Sequence, residues 1–208
     1  NVIRIDLPKK DQSKLVIEPV VGKKFGDGSF TLQTTGGTGN GEVTYSCSTN
    51  DVLSINGSTA TIIGAGSTTI TAVKAGDAEY NSTTATYVIT IDKAKAPSVI
   101  YPTATPIMYG QKLSESVLVG GSMEYGSFAW ENGELVPGIH NTGYSVRFIP
   151  SSETLKNYET IPVTTSIVKV TVSRANPLVT LTTNIIGEKD SRKVTLSAVV
   201  EKVSSGDS

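Results

Sequence analysis

The chain has one cysteine, one histidine and one tryptophan in 208 residues, and each scarcity removes a class of chemistry. A single thiol, Cys47, excludes an intrachain disulfide and a thiolate metal cluster. Within Thr44-Tyr45-Ser46-Cys47-Ser48 it reads as a small buried strand residue. His140 is the one imidazole that a Ser/His/Asp or Cys/His relay could use, and it sits in the loop sequence Pro137-Gly138-Ile139-His140-Asn141-Thr142-Gly143. One histidine and one distant cysteine cannot build a zinc site. The chain therefore reads as no enzyme, with no catalytic residue, no metal and no cofactor. Charge of one sign is also missing: 18 basic and 19 acidic residues leave a net −1, so there is no field to attract phosphate backbones, and nucleic acid is not expected as a partner. Apolar runs such as Leu15-Val16-Ile17 fall far short of the roughly 20 residues that span a bilayer, so no membrane insertion is expected. The start, Asn1-Val2-Ile3-Arg4-Ile5-Asp6-Leu7, carries no signal-peptide pattern and reads as the inside of a strand, hence as a piece of a longer chain.

What is present is β-branched and repetitive. The 27 threonines and 22 valines suit a pleated, half-buried surface and lose rotamer freedom in a helix, which predicts an all-β protein. Phe25-Gly26 is echoed by Tyr109-Gly110, Gly36-Gly37 by Gly120-Gly121, and Gly41-Glu42-Val43-Thr44-Tyr45 by Gly126-Ser127-Phe128-Ala129-Trp130. The offsets (26 to 110, 36 to 120, 45 to 130) stay at 84 or 85 residues, the mark of tandem units. The layout predicted is the last strand of a preceding unit plus a linker over 1–13, one domain over 14–94, a second over 95–175, and the first strands of an incomplete third over 176–208. Each unit's closing strand ends in a basic residue and alanine with Pro97 or Pro177 close behind, so the linkers are short. Proline without a Gly/Ser tract predicts a semi-rigid rod.

Within each unit an aromatic-glycine turn precedes an alternating strand: Phe30-Thr31-Leu32 in the first copy, answered by Leu113, Val117 and Val119 in the second. After the Gly-Gly turn comes a strand with a large ring at its centre, Tyr45 or Trp130, predicted as the plug of each core. Ala60–Gly64 and Thr68–Val73 read as a hairpin across Gly64-Ala65-Gly66, and Tyr144-Ser145-Val146-Arg147-Phe148 is the second copy's strand. Both copies then pass through a polar loop holding one tyrosine, Tyr80 or Tyr158, before the closing strands.

Gly26-Asp27-Gly28-Ser29-Phe30-Thr31-Leu32, Ala75-Gly76-Asp77-Ala78-Glu79-Tyr80-Asn81 and Ile91-Asp92-Lys93-Ala94 resemble bacterial immunoglobulin-like repeats of secreted or wall-attached proteins. Met108-Tyr109-Gly110-Gln111-Lys112-Leu113 and Gly126–Trp130 look like a related variety. The resemblance covers roughly residues 14–175. It implies tandem immunoglobulin-like β-sandwiches joined by short linkers, with partial units at both ends. In such sandwiches a ring on the third strand packs between the sheets, and a tyrosine corner bonds its hydroxyl to backbone, the roles expected of Tyr45 and Trp130, and of Tyr80 and Tyr158. It further implies an extracellular stalk, spacer or adhesive module at a bacterial surface or in the medium, meeting a host or bacterial surface protein or glycan, with no general catalytic residues to carry over.

Other readings weigh less. Asp77 and Glu79 offer oxygens to calcium but match no calcium loop, and Gly36-Gly37-Thr38-Gly39-Asn40-Gly41 lacks the Lys-Ser/Thr ending of a phosphate cradle. Asn81, Asn157 and Asn176 fall in expected loops or linkers, which disfavours lysine–asparagine isopeptide bonds. The sequons at Asn56 and Asn81 are ordinary in a Ser/Thr-rich chain. The alternative function is a carbohydrate-binding sandwich accessory to a larger surface protein or glycoside hydrolase, using Tyr101, Tyr109 and Tyr125. Alternation at Val194, Leu196, Ala198 and Val200 suggests strand-mediated self-association through the incomplete terminal repeats, the tail edge meeting the N-terminal strand of another molecule.

Overall fold

A computed structural model describes residues 8–162, 164–174, 178–186 and 193–201. The fold is all-β: among the described residues strands dominate, and the helical content is one six-residue α-helix and two short 3₁₀ turns. The chain forms two compact units, the first combining residues up to Ser98 with Ser151–Pro162, the second Val99–Pro150 with the residues from Val163 onward.

In unit 1, β2 (Phe30–Thr31), β5 (Leu53–Asn56) and β6 (Thr59–Ile62) form one antiparallel sheet in the order β2-β6-β5. A second, in the order β4-β7-β8, is built from β4 (Val43–Cys47), β7 (Gly66–Lys74) and β8 (Thr83–Ile91). Beside them β1 (Val16–Ile17) pairs antiparallel with β3 (Thr34–Thr35). Alternation along every strand sends one set of residues inward. Leu53, Ala60, Ile70, Ala72, Ile89 and Ile91, with Leu15, Ile17, Leu32 and Val52, make one buried cluster, and half-buried Tyr45 packs against it. Burying a side chain such as Ile70 stabilises by about 1.5–3 kcal/mol, and β-branched residues fit the pleated layer. The sequence expectation of a hairpin between Ala60–Gly64 and Thr68–Val73 is corrected here: β6 pairs with β2 and β5, while β7 pairs with β4 and β8. The chain changes sheet at Gly64-Ala65, because a local alternation identifies a strand without identifying its partner.

The opposite parity of β4-β7-β8 faces outward. Ser46, Thr71 and Thr86 lie in one cross-strand row, and Thr44, Val73 and Thr84 in the next. Ser67 and Thr90 hydroxyls meet at 2.9 Å. No charged residue interrupts this face within the three strands.

Unit 2 repeats the framework. β12 (Gly126–Trp130), β13 (Tyr144–Pro150) and β14 (Thr165–Val168) form an antiparallel sheet. β9 (Thr103–Ala104) pairs with β11 (Leu118–Val119) as β1 pairs with β3. β10 (Ile107–Met108) runs parallel to β15 (Val172–Ser173). The same parallel contact occurs in unit 1 as the bridge Lys24 to Asp92. The aromatic-glycine marker sits on this contact in both copies: the Phe25 N–H donates to the Asp92 carbonyl at 2.9 Å and the Tyr109 N–H to the Ser173 carbonyl at 2.8 Å. Gly36 and Gly37 take φ of 79° and 72°, Gly120 and Gly121 take 77° and 79°, a left-handed turn that only glycine enters without steric cost.

The core of unit 2 is smaller. Ile107, Leu113, Val170 and Val172 are its buried cluster, with half-buried Trp130, Leu135, Ile139 and Tyr144 against it. A separate aromatic group joins Phe128 to Phe148 at 5.2 Å and to Tyr101 at 5.4 Å. Leu113, expected on a strand, lies in a 3₁₀ turn over Leu113–Glu115 whose entry is closed by the Glu115 carboxylate accepting the Lys112 N–H at 2.9 Å. Beyond it, β16 (Leu178–Ile186) and β17 (Lys193–Glu201) form a nine-pair antiparallel hairpin. Residues 1–7, which hold most of the strand expected over Val2–Lys10, lie outside the described residues, and with them the strand exchange that would use that strand. No helix among the described residues is long and apolar enough to cross a membrane.

Candidate functional site: two tyrosine loops that hold an extended segment

Tyr80 lies in the loop between β7 and β8. Asp77 shapes that loop as an aspartate in a tight turn does, by accepting backbone donors close in sequence. One carboxylate oxygen accepts the N–H groups of Tyr80 at 2.8 Å and Glu79 at 2.9 Å, and the other accepts that of Asn40 at 2.7 Å. These three donors, Asn40 foremost, hold the Asp77 carboxyl below the ordinary carboxylate range because each favours the ionised form. The side chain sequence reading offers to calcium is thus spent on backbone.

An extended segment docks on this loop. The Lys10 N–H donates to the Glu79 carbonyl and the Asn81 N–H to the Lys10 carbonyl, both at 2.8 Å, a one-residue parallel bridge centred on Tyr80. Gln12 ties the arrangement to the glycine-rich turn. Its amide nitrogen donates to the carbonyls of Asn81 at 2.7 Å and Ala75 at 3.1 Å, while its oxygen accepts the Gly39 N–H at 3.2 Å. The stretch 36–41 is accordingly a pinned loop between β3 and β4.

The second tyrosine loop does the same work with different parts. Ser151–Pro162 belongs to unit 1 and carries α1 (Ser152–Asn157), begun by Ser151, whose hydroxyl accepts the Thr154 N–H at 3.1 Å, the usual N-cap bond. The Ala94 N–H donates to the Asn157 carbonyl and the Glu159 N–H to the Ala94 carbonyl, both at 2.9 Å, a parallel bridge centred on Tyr158. Lys10 and Ala94 are 84 residues apart (10 to 94), the register of the sequence markers. Around this bridge Asn157 is fully buried. Its side-chain oxygen accepts the Ala65 N–H at 2.8 Å, and its nitrogen donates to the Glu153 carboxylate. Lys156 donates to the carbonyl and the carboxylate of Asp51 at 2.9 and 3.1 Å, and this ammonium is the main reason the Asp51 carboxyl is lowered. Lys93 donates to the Leu155 carbonyl at 2.6 Å, and the rings of Phe25 and Tyr158 meet edge to face at 5.5 Å. Asn157, expected in a loop, is a helical core residue whose amide is committed to Ala65.

The remaining sequence candidates fall in separate places. Tyr45 sits at the centre of β4, its hydroxyl 3.4 Å from that of Thr34. Trp130 ends β12 and donates its indole N–H to the Ser116 carbonyl at 3.0 Å. Tyr80 and Tyr158 are half-buried and engage the docked residue through the backbone on either side of them. A long-range bond from a tyrosine hydroxyl to backbone is made by Tyr87, beyond the tyrosines singled out in the sequence, which donates to the Val20 carbonyl at 3.0 Å. Tyr87 reads in sequence as one more inward residue of an alternating strand, with nothing to signal its hydroxyl. Of the glycan candidates, Tyr101 packs its ring on Phe128 and buries its hydroxyl, and this burial raises its pKa. Tyr109 is half exposed at the turn after β10, and Tyr125 closes the 3₁₀ turn Met123–Tyr125. His140 is an exposed loop residue and Cys47 is half-buried on β4. No family model, curated protein or solved structure matches the chain.

Proposed function

We infer that the chain is a non-enzymatic structural and interaction segment, made of tandem immunoglobulin-like sandwiches, from a bacterial cell-surface or secreted protein. The observation that carries this reading is the pair of bridges at Lys10 and Ala94. At each, one residue is held by the same pair of backbone hydrogen bonds on a loop carrying a tyrosine, Tyr80 or Tyr158, and the two held residues stand 84 apart, from 10 to 94. Such a device suits a chain whose job is to repeat. Strand order supports the fold assignment: β2-β6-β5 and β4-β7-β8 follow the B-E-D and C-F-G orders of immunoglobulin-type sheets. On that assignment Tyr45 and Trp130 both stand on strand C, and both tyrosine loops are F–G loops. Asp77 and Gln12 each hold three backbone groups, and such side chains committed to backbone favour a spacer or adhesive role over catalysis.

The test is exposure on the cell. Antibody raised against the chain should label intact cells of the source bacterium or its medium. Labelling that appears only after lysis would overturn the assignment to the surface, and a glycan array bound through Tyr109 would replace the spacer role by sugar recognition.

A further inference from the structure

Three Asn-Gly steps occur in the described chain, Asn40-Gly41, Asn56-Gly57 and Asn132-Gly133, and the fold treats them differently. Asn56-Gly57 stands at the tip of the β5–β6 hairpin, where Asn56 faces Thr59 across a two-residue turn. Gly57 has φ of 58°, and a methyl group placed there would meet nothing within 4 Å. Asn56, Gly57 and Ser58 are all exposed. Among the described residues neither the Asn56 side chain nor the Gly57 N–H has a hydrogen-bond partner. The other two steps are held. The Asn40 N–H is bonded to Asp77, and a methyl on Gly41 would lie 2.0 Å from the Ala75 carbonyl oxygen, so that backbone is pressed against its neighbour. At Asn132-Gly133 the Asn132 carbonyl accepts the Leu135 N–H at 3.4 Å and the Gly133 carbonyl accepts the Ser114 N–H at 2.9 Å.

We propose that Asn56 is an intrinsic covalent-modification site, at which the chain converts its own asparagine to aspartate and isoaspartate. The backbone nitrogen of Gly57, having lost its proton to solvent, attacks the side-chain carbonyl carbon of Asn56. A bond forms between that nitrogen and Cγ, the Cγ–Nδ2 bond breaks, and Nδ2 leaves as ammonia with a proton from water. Water then opens the five-membered imide at either carbonyl. Opening at Cγ restores the main chain with an aspartate. Opening at the backbone carbonyl routes the main chain through Cγ as isoaspartate. Water is the only co-reactant, and nothing is oxidised or reduced. A glycine at the attacking position has no side chain to obstruct the approach, and its torsions are the least restricted. Hairpin tips belong to the low-stability end of local opening, so the strand geometry of Asn56 relaxes there most readily. Both products place a negative charge beside Thr59 and Thr61 on an outer face otherwise made of hydroxyls. Isoaspartate also lengthens the main chain where the hairpin closes.

The experiment incubates the full chain, folded, at mildly alkaline pH and follows the three steps by peptide mapping with isoaspartate-specific methyl transfer. The expected result is methyl label and amide-to-acid mass change at Asn56 ahead of Asn132 and Asn40, with loss of the Asn56 label in Asn56→Gln. Urea-unfolded chain gives the rates without structure. Conversion at Asn40 or Asn132 as early as at Asn56 would overturn the proposal. So would an Asn56 that stays intact over the time in which the unfolded chain converts.

Discussion

Unit 1 and unit 2 share a skeleton and differ in what fills it. The parallel contact at the aromatic-glycine marker, the left-handed glycine pair and a three-stranded sheet whose first strand carries a large ring, Tyr45 at its middle or Trp130 at its end, occur in both. Between β4 and β7, however, unit 1 folds a hairpin that gives Leu53 and Ala60 to its buried cluster and packs Ile55 and Ile62 against it. The corresponding stretch of unit 2, from Glu131 to Gly143, forms no strand. It carries Pro137, which has no N–H to give a ladder, and it is tied down by single side chains instead. Asn141 donates to the carbonyls of Gly138 and Val170, and the Tyr144 hydroxyl accepts the Gly138 N–H. Among the described residues the apolar cluster has ten buried members in unit 1 and four in unit 2, where Val146, Phe148 and Val168 are buried outside it. Backbone pairings that fix register persist between copies, whereas the element that only fills volume is replaced.

Core truncation should show this difference most strongly. Phe148→Ala in unit 2 is expected to cost about 3–5 kcal/mol and Leu53→Ala in unit 1 about 2–5 kcal/mol. In scanning calorimetry the first should lower the earlier of two transitions and the second the later one. A single shared transition, or the reverse assignment, would break the comparison. A smaller contrast comes from glycines that share a φ and differ in surroundings. Gly120→Ala should cost about 1–2 kcal/mol for its left-handed backbone alone. Gly36→Ala should cost more, because its methyl would lie 2.0 Å from the Lys14 carbonyl oxygen while that of Gly120 would meet nothing within 4 Å. Equal losses in urea titrations would show that the two turns are equally free. Asn157→Ala should cost about 1–3 kcal/mol by leaving the Ala65 N–H buried without an acceptor, read as faster hydrogen exchange at Ala65 than in the parent. The mildest effect is expected at Asp77. Its carboxyl is lowered in the folded chain, so the folded state binds fewer protons than the unfolded one. Its contribution is complete above the ordinary carboxylate range and fades as pH falls through that range toward the depressed value. An NMR pH titration should move the amides of Asn40, Glu79 and Tyr80 together at low pH in the parent and not in Asp77→Asn.

Much of the framework is readable from residues because it rests on local chemistry. Gly36-Gly37 and Gly120-Gly121 announce left-handed turns, alternation at Ile70-Thr71-Ala72 announces one buried face, and the 84-residue register carries over to the bridges at Lys10 and Ala94. What hides in the sequence depends on distant partners. Asn157 looks like a loop residue because its acceptor role is defined by Ala65, 92 residues away. The sheet change at Gly64-Ala65 resembles a hairpin because two adjacent alternating runs look alike whether or not they pair. Leu113 reads as a strand residue, and the capping contact of Glu115 with Lys112 turns that stretch instead. Gln12 carries no pattern at all, yet it joins three backbone groups.

The membership of residues 151–162 in unit 1 bears on how this protein can be cut. A fragment ended at Ser98 would bring Ala65 and Asp51 to a recombinant product without the lysine and the asparagine that answer them, and would strip the ring of Phe25 of its neighbour. Splicing that twelve-residue piece back through a short connection after Ser98 is the more faithful way to isolate the first body.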